Sequence, residues 1–515
     1  MLSCTYSAGL FGIDGYLVTV ECNTSKRLSC FEIVGLPDNA IKEAKERVRS
    51  AAINSGFQFP DCELIVNLAP ADIKKEGSAF DLAIILNILK CAGSLGPEAR
   101  LEDKCFIGEL SLSGAIRPVR GALCMAIAAR DAGKKYLFLP VENAKEASVV
   151  TGITVYGVQN LRQVVDFLNG KIRVEKQTYT EDKDARTPLY PDFADVMGQE
   201  KAKRALEIAA AGGHNIILIG PPGTGKSMLA KRLPSILPEM SFEESIETTK
   251  VHSISGLLTG DCSLVRARPF RSPHHTMSAA SMVGGGKIPT PGEISLCNNG
   301  VLFLDELPEF NKQVMESLRQ PLEDGCITIT RTAGKVKYPC SFMLVGAMNP
   351  CRCGYFGHPT KECTCKEGDI KKYLKKISGP LLDRIDIQIE VPSLSYQDLS
   401  GQRKAEPSAS IRERVNKARG VAIKRYEGEF TDNGTPITCN AQLEAKHLRK
   451  YCALDSQCSA LMERAYTNLG LSARGHDRIL RLARTIADLD GSEAIRTVHL
   501  AEAIQLRSLD KKYFN

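Results

Sequence analysis

The chain has 515 residues, 43% of them hydrophobic and 25% charged, which is the composition of a soluble globular protein with about three domains. No apolar run reaches the ~18 residues of a membrane span, and the N-terminus lacks the pattern of a signal peptide, so we expect a cytoplasmic protein without a membrane partner. Most of the 18 cysteines are scattered through apolar segments, which argues against a disulfide framework, and the net charge of +7 permits a polyanionic partner without requiring one.

The first part of the chain, residues 1–170, alternates between strand-like and helix-like segments and is predicted to be an α/β domain. The helix at 37–54 opens with Pro37 and Asp38, carries apolar residues at helical spacing, and ends before Gly56. The predicted strands are 16–20, 30–34, 64–68 and 136–139, and the other predicted helices are 80–89 and 122–132. Periodicity alone gives this domain a fold class and no function.

Two stretches of this domain, 75–82 and 108–122, resemble the proteolytic domain of Lon-type peptidases, which has the ribosomal S5 domain 2-like fold. Those enzymes pair a nucleophilic serine with an activating lysine. Here Gly-Ser-Ala-Phe-Asp at 77–81 replaces the family's Gly-Pro-Ser-Ala-Gly, and the segment that should supply the lysine reads Gly-Ala-Leu-Cys-Met at 121–125. We therefore predict that the fold is kept without its chemistry and that Ser78 is structural.

A linker is predicted at residues 171–191, which are polar and charged and end in prolines. The next helix should stop at Gly212 and Gly213, directly ahead of an apolar strand. The spacing between this helix and the strand resembles that of AAA+ ATPases.

The stretch 215–227 has the order strand, glycine-rich loop and helix, and it contains the Walker A pattern G-x-x-x-x-G-K-[ST]. An ordinary glycine-rich turn is the alternative, but every motif position is filled and both flanks fit. The pattern predicts a cradle for the phosphates of ATP, with Lys226 on the β/γ-phosphates and Ser227 on Mg²⁺. The predicted cradle residues are Gly220, Pro221, Pro222, Gly223, Thr224, Gly225, Lys226 and Ser227.

An acidic pair, Asp305 and Glu306, follows the apolar run 301–304 at the predicted end of a buried strand. This is the Walker B arrangement. Asp305 would hold Mg²⁺, and Glu306 would polarise the water that attacks the γ-phosphate.

Further motifs resemble those of AAA+ ATPases. The strand at 342–348 ends at Asn349, as a sensor-1 strand does, which implies that Asn349 orients the attacking water. The segment 379–386 resembles the arginine-finger segment of the magnesium chelatase and replicative helicase branch, which implies that Arg384 reaches the γ-phosphate bound by a neighbouring subunit. Arg474 best matches the sensor-2 arginine, with Arg478 as the alternative.

A long Gly- and Pro-rich insertion, which includes 268–275 and 281–287, separates the two Walker elements. With its flanking motifs it is similar to the ComM/YifB family of magnesium chelatase-like AAA+ proteins, and the similarity covers nearly the whole chain. His274 and His275 could bind a metal, but adjacent side chains point in different directions, so a structural role is favoured.

The ComM/YifB resemblance implies an AAA+ core at 192–392, a C-terminal helical lid at 393–515 and a homo-oligomeric, hexameric ring. It also implies ATP-driven helicase or branch-migration activity on single-stranded or branched DNA in recombination or natural competence. A chelatase-type motor acting on a protein partner is the first alternative, and a Lon-like protease is the second. The predicted helices of the last domain are 411–426, 440–452, 458–469, 477–489 and 497–506.

A cysteine cluster follows Asn349 within the loop 351–365. Four thiolates from two turns could complete a tetrahedral Zn²⁺ site, although the one-residue gap within each pair weakens the signal and His358 could replace one cysteine. Free thiols are the alternative. The predicted zinc ligands are Cys351, Cys353, Cys363 and Cys365.

A β-hairpin is predicted just before the sensor-1 strand, because alternating segments flank a turn at 333–334. In the resembling helicases such a hairpin lines the pore, which implies that its basic residues contact the DNA backbone. A solvated hairpin whose charges only protect an edge strand is the alternative. The predicted DNA contacts are Arg331, Lys335 and Lys337 on the hairpin and Lys287 on the insertion.

Overall fold

A computed structural model describes residues 1–180, 190–258, 262–286, 289–331, 334–358, 360–394, 405–509 and 512–513. These residues form an N-terminal α/β region, a central parallel sheet and a C-terminal group of helices. Within these ranges no helix combines the length and apolar character needed to cross a membrane.

The N-terminal region is built from two four-stranded sheets and one two-stranded ribbon. Its strands are β1 (Leu2–Phe11), β2 (Asp14–Ser25), β3 (Cys30–Val34), β4 (Glu63–Ala69), β5 (Lys104–Phe106), β6 (Glu109–Leu110), β7 (Ile116–Arg117), β8 (Tyr136–Pro140), β9 (Thr154–Val158) and β10 (Lys176–Gln177). Its helices are α1 (Asn39–Asn54), α2 (Asp81–Cys91), α3 (Ala122–Asp131), α4 (Val141–Ala147) and α5 (Leu161–Leu168).

The two larger sheets have the orders β1-β2-β4-β3 and β10-β9-β8-β5. In the first sheet β3 runs parallel to β4 and the other pairs are antiparallel; in the second only β10 is antiparallel to its neighbour. Helix α2 is buried on all sides from Asp81 to Leu89, which explains its continuous apolar sequence. Within the predicted linker, Lys176 and Gln177 form β10, and residues 181–189 lie outside the described part of the chain.

The central region, residues 200–390, contains both short and long strands and helices. Its strands are β11 (Ile216–Ile219), β12 (Phe270–Arg271), β13 (Gly284–Gly285), β14 (Thr290–Pro291), β15 (Gly300–Leu304), β16 (Cys326–Arg331), β17 (Gly334–Pro339), β18 (Phe342–Met348) and β19 (Ile387–Glu390). Its helices are α6 (Glu200–Gly212), α7 (Lys226–Arg232), α8 (Phe242–Ile254), α9 (Ala279–Val283), α10 (Glu293–Leu296), α11 (Lys312–Ser317), α12 (Arg319–Asp324), α13 (Glu367–Leu374) and α14 (Gly379–Leu382).

Five of these strands form one parallel sheet in the order β12-β15-β18-β11-β19. Strand β11 shows why its sequence is uniformly apolar. Ile216 and Leu218 enter the hydrophobic cluster on one face of the sheet, and Ile217 and Ile219 enter the cluster on the other. Burial on both faces is typical of strands in a parallel sheet. The carboxyl ends of β11, β15 and β18 therefore meet at one edge.

The C-terminal helices are α15 (Ser408–Arg425), α16 (Ala445–Tyr451), α17 (Ser456–Leu469), α18 (Ala473–Leu489) and α19 (Thr497–Gln505). They share one hydrophobic cluster with α6 and one face of the central sheet. The single helix predicted at 440–452 is wrong. A 3-10 turn at Asn440–Gln442 precedes α16, because Leu443 is extended and Glu444 starts a new helix as its N-cap.

The N-terminal region packs directly against the central region through α8. The Ser253 hydroxyl donates to the buried Glu146 carboxylate at 2.7 Å, and the Gly121 N–H donates to the Ser253 carbonyl at 3.2 Å. At a second contact, the β1–β2 turn at Gly12 lies against Val336 of strand β17. These contacts join the two regions through buried polar and apolar groups.

Candidate nucleotide-binding site

The candidate site starts at the loop between β11 and α7. Helix α7 begins at Lys226, whose Nζ atom donates to the carbonyl oxygens of Gly220 at 2.7 Å and Pro221 at 2.8 Å. The lysine side chain thus folds back onto the backbone of the loop that precedes it, and the N-terminus of α7 adjoins this loop. Backbone N–H groups and the helix dipole at such a terminus favour a bound anion.

A cleft of about 390 Å³ opens beside this loop. It is lined by Pro222, Gly223, Thr224, Gly225, Lys226, Ser227, Met228, Asp305, Glu306, Met348 and Asn349. Residues from the ends of three different strands thus face one cavity, as the parallel order of the sheet requires.

The acidic pair follows β15, and its two members have different environments. Asp305 accepts a hydrogen bond from the Ser227 hydroxyl at 2.7 Å, so the oxygen atoms of the two predicted ligands are adjacent. Hard oxygen donors of this kind suit Mg²⁺. Glu306 has a left-handed backbone with a φ of 51°, and its carboxylate is more than half exposed. The strained turn directs Glu306 into the cleft, beside Asp305.

Asn349 follows β18 and connects the third strand to the loop. Its Oδ1 atom accepts from the Lys226 Nζ atom at 3.1 Å. The backbone supports the same contact, since the Gly220 N–H donates to the Met348 carbonyl at 3.1 Å. The amide therefore lies next to the lysine that would bind phosphate.

Burial lowers the pKa of Lys226 to about 8, although Asp305 and Glu306 act to raise it. The lysine is only 8% exposed, and it lies among carbonyl oxygens and within the field of the two carboxylates. An incoming phosphate would favour the charged form of Lys226 and would raise its pKa again.

The histidine pair of the insertion lies beside Asp305 and Glu306, a contact that was not predicted from the sequence. The Nδ1 atom of His275 is 3.5 Å from the Glu306 carboxylate. The expectation that the two histidines point in different directions is wrong, because their ring centroids are 4.2 Å apart. The segment bends at this point, and the His274 Nδ1 atom lies 2.9 Å from the Thr276 hydroxyl.

Arg384 is not among the residues that line this cleft. Its guanidinium pairs with Glu323 of α12 and donates to the Pro380 carbonyl, and its side chain is only 10% exposed. In this arrangement the guanidinium contacts only residues of its own chain among those that the structure describes. To act on a neighbouring subunit it would have to exchange the Glu323 carboxylate for a phosphate.

The two sensor-2 candidates have different surroundings. Arg474 is exposed in the first turn of α18, which is capped by Ser472. Arg478 is buried and its Nε atom lies 3.4 Å from the Asp386 carboxylate. Arg478 therefore ties the C-terminal helices to the segment that carries Arg384, whereas Arg474 is free to contact a ligand or a second subunit. Neither of them lines the cleft beside the loop in the described part of the chain.

The four predicted zinc ligands lie together. Their sulfur atoms are all within 4.8 Å of one another, and the Cys351 sulfur is 3.3 Å from that of Cys353 and 3.7 Å from that of Cys363. A tetrahedral site with Zn–S bonds of about 2.3 Å requires sulfur separations of about 3.8 Å, so the donor set fits Zn²⁺. His358 instead hydrogen-bonds with Ser393 and within its own turn.

The pKa values of the four thiols are shifted in opposite directions. Burial raises the pKa of Cys351, and the pKa values of Cys363 and Cys365 are raised as well. Burial also acts to raise the pKa of Cys353, but hydrogen bonds at Tyr355 and Cys351 outweigh it and lower this pKa to about 6. Since the thiolate is the form that binds metal, Cys353 is the member of the cluster that reaches this form most readily.

The predicted hairpin forms from β16 and β17, which pair in antiparallel register. Ile327, Ile329, Val336 and Tyr338 are buried, whereas Lys335 and Lys337 are exposed on the opposite face with Thr328 and Thr330. The hairpin therefore presents one apolar and one basic face. Of the turn predicted at 333–334, Gly334 is the first residue of β17. Residues 332–333, the Arg331 side chain and Lys287 lie outside the described part of the chain.

Some contacts of this site had no signal in the sequence. Gln199, at the start of α6, is buried with a φ of 58°, and its amide donates to the carbonyls of Thr224 and Pro392. It thus connects the loop between β11 and α7, the predicted phosphate loop (residues 220–225), to the chain beyond β19. Met228 and Met348 line the cleft as well.

In the N-terminal region, three side chains of the peptidase-like motif, those of Ser78, Lys75 and Asp81, make polar contacts within the fold. The Ser78 hydroxyl pairs with the Glu109 carboxylate. Lys75 is fully buried, and its Nζ atom donates to the Ile73 carbonyl at 2.7 Å. Asp81 pairs with Arg47 at 3.0 Å. That Ser78 is structural stays a prediction, with which these contacts agree.

Comparisons with known proteins match all three regions. The family model described as "Magnesium chelatase, subunit ChlI" matches residues 192–399, "Subunit ChlI of Mg-chelatase" matches 20–143, and "Magnesium chelatase, subunit ChlI C-terminal" matches 405–507. The chain is 43% identical to Competence protein ComM of Haemophilus influenzae over 99% of this chain and 98% of the relative. It is 42% identical to the YifB protein of Escherichia coli over the same shares. The Magnesium-chelatase 38 kDa subunit of Rhodobacter capsulatus is 26% identical over 61% of this chain and 85% of the relative.

Proposed function

The chain belongs to the ComM/YifB family of magnesium chelatase-like proteins, and on that basis we propose that it is an ATP-hydrolysing AAA+ motor that assembles into a hexameric ring. The observation that carries the proposal is the convergence of Lys226, Ser227, Asp305 and Asn349 on one cleft. The four side chains come from the ends of three neighbouring strands. They have the chemistry that phosphoryl transfer requires.

Each residue has a defined part in this proposal. Lys226 would give up its carbonyl contacts to bind the β/γ-phosphates, and Ser227 and Asp305 would supply oxygen ligands to Mg²⁺. Glu306 polarises the attacking water and Asn349 orients it. Arg384 of the adjacent subunit adds positive charge at the γ-phosphate once its pairing with Glu323 is released. Arg474 is the exposed arginine available for the sensor-2 role.

We further propose that the motor acts on DNA, as the name of the relative Competence protein ComM supports. The exposed basic face of the hairpin supports it independently, because a ring of such hairpins would concentrate positive charge along a phosphate backbone. The proposed contacts are Lys335, Lys337 and Arg331, with Lys287 as a second contact in the ring. Translocation on single-stranded or branched DNA, as in branch migration, is the resulting activity.

ATPase turnover distinguishes this function from a chelatase-type motor that acts on a protein, which the similarity to a magnesium-chelatase subunit supports. Turnover should be measured alone and with single-stranded DNA, duplex DNA and a four-way junction. A DNA motor should be stimulated by at least one of them. Equal turnover in all four conditions would favour a protein partner.

The hairpin can be tested separately by changing Lys335 and Lys337 to alanine. Loss of two phosphate contacts should weaken binding to every DNA sequence, lower the salt slope by about 2 and remove DNA stimulation while basal turnover survives. Thr328 and Thr330 lie opposite these lysines in the register, so their double alanine variant is the matched control. If the lysine variant binds and unwinds DNA as the parent does, the hairpin does not contact DNA.

We also propose that Cys351, Cys353, Cys363 and Cys365 hold one structural Zn²⁺ per chain. The support is the mutual proximity of the four sulfur atoms and their fit to tetrahedral coordination. Elemental analysis of protein never exposed to a chelator should give one zinc per chain. Protein without zinc would remove this proposal and leave the cysteines as free thiols.

A further inference from the structure

The cysteine loop, whose described residues are 351–358 and 360–365, is attached to the nucleotide site by the chain itself. Strand β18 ends at Met348, Asn349 contacts Lys226, and Cys351 follows two residues later in a fully buried position. The first zinc ligand and the amide that contacts the phosphate-binding lysine thus lie on one short segment. Movement of Cys351 is transmitted to Asn349 through a single intervening residue.

The same loop also touches the phosphate loop from outside. Gly354 lies so close to Pro222 that a Cβ atom added at position 354 would be 2.5 Å from the Pro222 Cδ atom. Pro222 lines the cleft, next to the glycine-rich turn. The cysteine loop therefore contacts the phosphate loop directly through Gly354, and it is joined through the chain to Asn349, which contacts Lys226.

The cluster is the feature that brings the ends of this loop together. The Cys363 sulfur lies 3.5 Å from that of Cys353 across the loop, and the Phe356 N–H points at the Cys351 sulfur at 3.3 Å. Thiol contacts of this kind are weak, whereas a metal binds four thiolates strongly and fixes their geometry. The position of Gly354 and the direction of Asn349 therefore depend on whether the cluster is loaded.

We propose that the cysteine loop is a structural part of the nucleotide site, in which the bound Zn²⁺ fixes Pro222 and Asn349 and its loss weakens ATP binding. This inference rests on the proposed ATPase function and on the proposed zinc site. It assigns Pro222 and Gly354 a positioning role, and it makes nucleotide affinity depend on zinc occupancy.

Two glycines of the loop give a matched test. Gly354 and Gly357 both have a left-handed backbone, with φ values of 85° and 75°, but the space around Gly357 is open to 4 Å. Alanine should strain the backbone at both positions, whereas only Gly354→Ala should push against Pro222. Since a displacement of about 1 Å can change a site's function about 100-fold, we expect Gly354→Ala to bind a fluorescent ATP analogue at least about tenfold more weakly, and Gly357→Ala to bind it as the parent does.

Zinc content is measured on the same samples by elemental analysis. Both variants should keep one zinc per chain, so that a loss of affinity in Gly354→Ala is assigned to the Pro222 contact. Equal affinities of the two variants, with zinc retained, would overturn the contact. A parent protein that holds zinc and does not bind the analogue would instead overturn the proposed ATPase function.

A second measurement does not depend on any variant. The parent protein is treated with a chelator that prefers Zn²⁺ to Mg²⁺, returned to Mg²⁺ buffer, and titrated with the same analogue before and after zinc is restored. We expect affinity to fall and to recover with zinc, while circular dichroism shows that the helices remain folded. Unchanged affinity in folded, zinc-free protein would overturn the coupling.

Discussion

The N-terminal region and the central sheet both carry short motifs that resemble those of enzymes, but they use the reactive side chains differently. In the central region, Lys226 at the start of α7 and Asp305 directly after β15 face one open cleft. In the N-terminal region, Ser78 is paired with Glu109, and Lys75 is buried against a backbone carbonyl. The comparison shows that motif resemblance predicts a fold, whereas activity requires that the groups converge on space that a substrate can enter.

The largest effect that would test this comparison is expected from Lys226→Ala. Removing the only charged group held by the phosphate loop should abolish nucleotide binding, because the β/γ-phosphates lose their cationic partner. Isothermal titration with ATP and Mg²⁺ measures the change. Retained affinity in a folded Lys226→Ala protein would show that the cleft is not the nucleotide site.

The next effect concerns hydrolysis across subunits. Glu306→Gln should bind ATP but turn over about 100-fold more slowly, because the water-polarising carboxylate is lost. Arg384→Ala should also bind ATP, with turnover reduced about 1,000-fold. A mixture of the two variants should recover part of the parent rate, since a subunit with an intact Glu306 can then use the Arg384 of its neighbour. No recovery in the mixture would count against action in trans.

A smaller effect follows from the lowered pKa of Lys226. Burial places this pKa at about 8 in the nucleotide-free protein, and a bound phosphate restores the charged form. Binding must therefore take up a proton above pH 8, and ATP affinity should fall as the pH rises, by about eightfold between pH 7.5 and 9. Lys226→Arg should bind more weakly at each pH but lack this decline, because a guanidinium stays charged. A parallel decline in both proteins would assign the effect to another group.

The smallest effect is expected in the N-terminal region. Ser78→Ala should leave ATPase turnover unchanged and lower the free energy of unfolding by about 1 kcal/mol, because one partly buried hydrogen bond to Glu109 is lost. Denaturant titration and a peptide-hydrolysis assay measure both outcomes. Peptide hydrolysis by the parent that disappears in Ser78→Ala would reverse the comparison and make this region an enzyme.

The parts of the molecule that sequence could predict are those in which local pattern and tertiary environment agree. The phosphate loop is one, because strand, turn and helix are consecutive in the chain. Strand β1 was not predicted, since Thr5 and Ser7 are polar residues in buried positions and conceal the alternation of apolar residues. Thr5 is accommodated because its hydroxyl donates to the Ala83 carbonyl at 3.0 Å.

The parts that could not be predicted depend on contacts between distant segments. Gln199 reaches the carbonyl of Pro392, and Gly354 meets Pro222, but neither pair has a spacing or composition that marks it. The pairing of Arg384 with Glu323 is of the same kind. A motif can predict a function for Arg384, but only the folded chain shows that its ion pair with Glu323 must break before the guanidinium can bind a phosphate.

The Glu146 carboxylate is shared between two regions that motifs describe as separate modules. It is buried, and it accepts hydrogen bonds from Asn143 of its own region and from Ser253 of the central region, each at 2.7 Å. Separating the regions would break the hydrogen bond from the Ser253 hydroxyl to this buried carboxylate. Losing a partner of a buried charged group raises the free energy of the separated state. Heating should therefore melt the N-terminal and central regions together as one cooperative unit, with coincident loss of structure in both.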